Sequence, residues 1–253
     1  MKKVLFCFFF LPLLLAGQID ESDTLKVKAS LSVTGFWQGG NVETWIFRTS
    51  ADVRFQALER WVFDTKNSFV YQAFGRQKAD EDLLSRNFLY FNPKQRVYPL
   101  LIGIASSNFR RRIDVRYLIG GGITYQILTK KENWLKFSIS SEYERTNFNQ
   151  DNFNLAEYNG NSSINTLRGT LWLNGRHQIL DKKIIFKHES YFQPSLQRSN
   201  NFRWRTDLGL EIPFWKFISF TINYVDTFES IVIEGQRLED RLLSFGLVLK
   251  SFE

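Results

Sequence analysis

Cysteine is almost absent from this chain: Cys7 is the only one, so no disulfide framework holds the fold together. Histidine is nearly as scarce. His177 and His188 are the only two, and the sequence shows no His/Cys/Asp cluster with metal-ligand spacing. No Gly-rich phosphate loop precedes a helix and no GxSxG is present. Helical signals are missing as well, since no stretch after the N-terminus repeats apolar residues at three and four over several turns with recognisable caps. Long apolar runs are lacking beyond Val4–Leu15. This matters because the chain carries 25 Phe, 9 Tyr and 7 Trp, which a water-soluble domain would gather into core segments. A strong charge of one sign is absent too: the formal net charge is +7 and dispersed, which argues against nucleic acid as a partner.

What is present begins at the N-terminus. Lys2 and Lys3 precede the apolar run, which ends in Ala16 and Gly17. That is the pattern of a secretory signal peptide, too short to span a bilayer as a helix, which needs about 20 residues. Residues 1–17 are therefore expected to be a cleaved leader and 18–24 a short periplasmic segment, with one all-β domain over 25–253. Period-two alternation then recurs from end to end. Leu25, Val27, Ala29, Leu31 and Val33 alternate with Lys26, Lys28, Ser30, Ser32 and Thr34, and Trp45, Phe47, Ala51, Val53 and Phe55 alternate with Arg48, Ser50, Asp52 and Arg54. On the third run Trp61, Phe63, Phe69 and Tyr71 oppose Asp64, Lys66, Ser68 and Gln72.

Further strands are expected near 83–92, 96–107, 115–128, 134–146, 163–176, 184–194, 202–212, 217–228 and 240–252, about twelve in all. Each is of the length of a tilted membrane-crossing strand, roughly 9 to 11 residues. Tight turns at Leu58-Glu59-Arg60, Pro93-Lys94-Gln95, Lys130-Lys131-Glu132-Asn133, Asp181-Lys182-Lys183 and Pro213 alternate with mostly longer polar loops at 75–82, 108–114, 147–161, 195–201 and 229–239. An even-stranded transmembrane antiparallel β-barrel with short periplasmic turns and long external loops keeps that rhythm, and a soluble β-sandwich has no reason to. Trp45, Trp61, Tyr98, Trp134, Trp204 and Trp215 sit near strand ends, where interfacial aromatic girdles are built. A cell outer-membrane location follows, with lipid and lipopolysaccharide around the barrel and the barrel-assembly machinery as a partner in biogenesis.

On the polar phase the strands place Arg48, Asp52 and Arg54; Lys136, Glu142 and Glu144; Lys187 and Glu189; and Arg203, Arg205, Asp207 and Glu211. Pointing inward, these charges form either a salt-bridged lumen that closes the pore or a narrow polar channel, the porin-like alternative. The loop Arg110-Arg111-Arg112 is the densest basic cluster and could grip lipopolysaccharide phosphates bidentately. His188-Glu189-Ser190 sets a histidine and a serine two apart on one strand, both facing the apolar side. That spacing resembles the His-x-Ser of outer-membrane phospholipases, though Tyr191-Phe192 stand where that family has Asn-Gly. No orienting group or calcium ligand is identifiable, and the expectation is a non-enzymatic barrel with no cofactor. Gly120-Gly121-Gly122 interrupts a strand pattern, where small residues relieve crowding inside a barrel or permit a sharp bend.

Four segments carry a family resemblance: Leu31–Gly35 through Gly39–Thr44, Arg116–Tyr125, Arg205–Leu210, and Asp240–Phe252. On these the chain resembles the DUF481 family, the YdiY-like proteins described as salt-induced outer-membrane proteins. The resemblance implies an outer-membrane barrel and supplies no activity, substrate or catalytic residue. One departure is at the end: Phe252 is followed by Glu253 and is out of phase with Phe245, Leu247 and Leu249.

Overall fold

A computed structural model describes residues 27–39, 43–130, 133–180, 183–215 and 218–249. The leader, the 18–24 segment, the Gly40-Asn41-Val42 turn and the Phe252-Glu253 end lie outside them. The alternating runs form twelve strands: β1 (Val27–Gln38), β2 (Thr44–Leu58), β3 (Trp61–Phe74), β4 (Gln77–Phe91), β5 (Val97–Asn108), β6 (Ile113–Lys130), β7 (Asn133–Phe148), β8 (Ser163–Ile179), β9 (Ile184–Pro194), β10 (Phe202–Trp215), β11 (Ile218–Glu229) and β12 (Glu239–Leu249). One short 3-10 helix, Ala156–Tyr158, interrupts the β7–β8 loop. Every strand pairs antiparallel with its neighbour in chain order, giving a single twelve-stranded meander.

Period two fixes the two faces. Along β6, Val115, Tyr117, Ile119, Ile123, Tyr125 and Ile127 are exposed, while Leu118, Thr124 and Gln126 between them are buried. Along β7 the exposed Phe137, Ile139 and Tyr143 alternate with buried Lys136, Ser140, Glu142, Glu144 and Thr146. The face that is apolar is thus the one on the outside, the inverse of a soluble sheet and the arrangement that a lipid surround requires. Among the described residues the ladders run from β1 to β12 and none joins β12 to β1. The sheet is rolled into a barrel nonetheless, because inner-face side chains from distant strands meet: Phe88 of β4 packs edge-on against Trp172 of β8 with centroids 5.6 Å apart.

Four expectations are corrected here, the first being the turn at Pro213: this residue lies within β10, opposite Ser219, and the strand runs on to Trp215. The segment 75–82 is not a loop. Gly75 and Arg76 alone make the turn, with φ of 54° and 65°, the two positive values of a type I′ hairpin, and the charged stretch behind them is the start of β4. Its polarity comes from Asp80 and Asp82 on the inner phase, where Arg110 reaches them at 3.1 and 3.9 Å. Tyr98 and Trp134 are not girdle residues either; both are almost wholly buried, 1% and 3% exposed. Tyr98 shares its phase with Leu100 and Ile102 on the inner face, and Trp134 shares its phase with Lys136, so parity and not nearness to a turn decides where an aromatic points. Trp45 and Trp215 do stand outside, and Trp204 stacks on Phe228 with 4° between planes.

The glycine run of β6 is a packing requirement. A Cβ on Gly120 would run into the Ser141 carbonyl and the Glu142 backbone, and one on Gly122 into the Ile139 carbonyl and Ser140. Both are inner-face positions at which β7 coils tightly over β6.

Candidate functional site: the lumen and its cap

The lumen is organised in levels. At the end that carries the long loops, Glu144 is the hub of a buried network. Arg168 donates to it through Nε at 2.7 Å and Nη2 at 3.0 Å, a two-pronged arrangement that suits guanidinium and carboxylate. Arg203 donates Nη2 to the same carboxylate at 2.6 Å, and Arg116 stands 3.9 Å away. Arg116 spends its fork on Glu229 across the lumen, at 2.9 and 2.7 Å. Gln193 accepts from Arg203 at 2.7 Å and donates to Thr170 at 2.8 Å. Thr170 donates in turn to Glu142 at 2.7 Å. The strands linked this way, β6 to β11 and β7 to β10, are not neighbours, so the network braces the barrel from wall to wall.

Midway along the barrel Arg86 pairs with Glu189 at 2.8 Å, and Arg205 with Asp207 on its own strand at 2.8 Å. Lys187 donates to Glu211 at 3.1 Å. Arg54 and Asp64, in register across β2 and β3, are each 1% exposed, and Asp52 is in register with Lys66. Lys136 lies over the Trp134 ring, 5.1 Å from its centroid. Below the mid-level charges one wall of the lumen is apolar: Phe88, Leu100 and Ile102 are buried together, with Tyr90, Ile104 and Trp172 packed on them.

Every expected lumen charge whose side chain is described, from Asp52 and Arg54 through Glu211, lies on the inner phase; the Arg48 side chain lies outside the described ones. Sequence reading missed Arg86, Arg116, Arg168 and Glu229, which hold the network together. Parity alone could have found Arg116 and Arg168, since they share a phase with Thr124 and Thr170. Glu144, the partner of Arg168, was among the expected charges, whereas Glu229, the cross-lumen partner of Arg116, carries no local signal.

The long-loop mouth is capped. Phe153 of the β7–β8 loop bridges to Ile233 of the β11–β12 loop, and Asn154 both donates to Ser230 O and accepts from Val232 N, each at 3.0 Å. Phe153, Tyr158, Ile231 and Ile233 bury themselves against the inner-face residues Ile113 and Phe148. Arg198 of the β9–β10 loop covers the Tyr158 ring at 4.9 Å. Beneath this cap, between Ile231 and the Arg–Glu network, about 10 Å³ remains, room for about one water. A second cavity of about 30 Å³ lies between Lys66, Glu189, Trp172 and the apolar wall.

The basic loop does not present one surface. Arg111 is buried, with Nη2 on Asp240 at 2.7 Å; Arg110 is engaged with Asp80 and Asp82; and Arg112, with φ of 58°, lies over Phe109. His188 and Ser190 share the outer phase. The His188 ring faces His177, with the Nε2 atoms 3.3 Å apart, and Glu189 points the other way to Arg86. Among the described residues no group of three or more His, Cys, Asp or Glu could hold a metal ion.

No curated protein matches the chain. A solved structure described as the NanC porin is similar in fold, with TM-score 0.52 at 13% identity, covering 88% of this chain and 100% of that one. The family model described as "Protein of unknown function, DUF481" matches residues 40–250, and the chain belongs to that family.

Proposed function

We propose that the protein is a non-enzymatic outer-membrane barrel whose lumen is a structural brace instead of an open pore. The observation that carries this reading is the filled interior under an apolar exterior. Residues such as Ile119, Ile123, Ile139, Leu171 and Phe245 are exposed around the outside, a surface stable only in hydrocarbon. Inside, arginine–glutamate pairs span the lumen and an apolar cap closes one mouth. The porin fold neighbour supports the barrel and the outer-membrane location and bears on conduction not at all. On this reading residues 1–17 direct export, the long loops face outward, and the barrel-assembly machinery inserts the chain. Contact with lipopolysaccharide phosphates falls to Arg112 and to Arg110, which stays more than half exposed beside Asp80, since Arg111 is buried on Asp240.

The test has two steps. Detergent-extracted protein from the outer-membrane fraction should migrate differently on a denaturing gel before and after boiling, as closed barrels do. Reconstituted in planar bilayers, the same protein should show no steady conductance. A soluble protein without a mobility shift would overturn the architecture, and sustained single-channel openings would replace the brace with the porin-like reading.

A further inference from the structure

We propose that His177 and His188 form a binding site for a borderline divalent transition-metal ion of the Zn²⁺ class on the outer face of the barrel, near the short-turn end. They are the only two histidines in 253 residues, and the β8–β9 hairpin brings their Nε2 atoms to 3.3 Å. The rings are within 8° of parallel with centroids 5.4 Å apart, so the nitrogen corners are the parts that face each other. Phe186 lines the pair on one side, its centroid 5.5 Å from His188 and 6.3 Å from His177.

Local register explains the approach. His188 is directly opposite Gly175, and His177 is opposite Phe186. With no side chain on Gly175, the His188 ring leans diagonally toward His177, a pairing that long side chains can reach across an antiparallel ladder. The notch left there is specific in its walls. A Cβ on Gly175 would lie 2.7 Å from His188 Nε2, 3.0 Å from His177 Nε2 and 2.9 Å from the Trp134 carbonyl oxygen. Two imidazole nitrogens and a backbone oxygen therefore converge on one small space.

Ligand chemistry selects the ion. Zn²⁺ takes imidazole nitrogen at about 2.0–2.1 Å in tetrahedral geometry, which sets two such ligands about 3.3–3.4 Å apart. The observed separation is already that bite, and modest turns about each soft χ2 point the lone pairs at the ion. In the metal-free pair one ring donates its Nε2–H to the other; on binding, both rings carry their proton on Nδ1, so the exchange needs no net proton release. Waters fill the remaining positions, with the Trp134 carbonyl placed to accept from one. Mg²⁺ and Ca²⁺ prefer oxygen shells, and among the described residues no carboxylate joins the pair, Glu189 being turned inward to Arg86.

The test uses the mature chain purified without a histidine tag, folded in detergent and verified by its heat-dependent mobility. Calorimetric titration with Zn²⁺ should give one ion per chain. Either His177→Ala or His188→Ala should weaken binding by about a hundredfold, the loss expected when a two-armed ligand becomes one-armed. Gly175→Ala should weaken it as well by filling the notch, and Mg²⁺ or Ca²⁺ should not compete. In the unsubstituted protein Zn²⁺ should also protect both histidines from diethyl pyrocarbonate, a readout that needs no variant to fold. A folded barrel that takes up no Zn²⁺ at millimolar concentration, binding unchanged in both histidine variants, or the absence of protection would each overturn the site.

Discussion

Glu144 is 1% exposed and is met by Arg168 and Arg203 within hydrogen-bond distance. A carboxylate so placed is held by its partners, and they by it. Removing one member of a buried charge set leaves the others uncompensated, at a cost of about 3–5 kcal/mol. Glu144→Gln should therefore lower the free energy of unfolding from lipid vesicles, read from urea titrations, by an amount of that size, with a fall in the midpoint. Arg205→Ala provides the contrast. Its pair with Asp207 is about one third exposed on each side, where ion pairs contribute roughly 0–1 kcal/mol, so its midpoint should barely move; equal losses in the two variants would mean that the wall-to-wall network is not what braces the barrel. Steric demand at single residues is as sharply graded. Gly122→Ala drives a methyl into the backbone of β7, whereas nothing lies within 4 Å of a Cβ on Gly103. The first substitution should abolish the heat-shifted band and the second should leave it unchanged.

At the level of elements, the cap is a small hydrophobic core built from loops, separate from the hydrogen-bonded wall. Phe153→Asp combined with Ile233→Asp should dissolve it, because both side chains are 3% exposed and face each other across a single bridge. On the proposed orientation, protease added outside should then cut within 149–162 and 230–238 while the strands keep their mobility shift. If the shift is lost with the cap, the loops and the barrel are one cooperative unit. The strands themselves were legible because alternation is a local property: 184–194 has the observed bounds of β9, and the remaining expected strands overlap observed ones with ends displaced by several residues at most. The failures share one cause. In 75–82 the charges of Asp80 and Asp82 read as a solvated loop because their partner, Arg110, sits on another connection. Tyr98 and Trp134 were placed by their distance from turns, while a barrel with an apolar inner wall has work for aromatics on both faces. The Arg116–Glu229 pair spans 113 positions, and no sequence pattern announces it.

For the whole molecule, the sheet exchanges the usual order of inside and outside, and the consequence is a sharp asymmetry in what each face tolerates. On the proposed reading the outer wall, away from its rims, meets hydrocarbon, where a charge can find neither water nor a partner; the inner wall already holds paired charges. Depth grades the penalty on the outer wall, since an arginine near a rim can extend to the headgroups. Ile139 lies in the middle of β7 and is 53% exposed, whereas Leu58, 65% exposed, ends β2 at a turn. Ile139→Arg should destabilise the folded barrel by about 2–4 kcal/mol and Leu58→Arg by about 0–1 kcal/mol, measured as equilibrium unfolding from vesicles. In a water-soluble sheet the same two exposed positions would accept arginine with almost no cost and no dependence on depth. The difference between the two variants, more than either value alone, therefore reports whether this surface lives in a membrane.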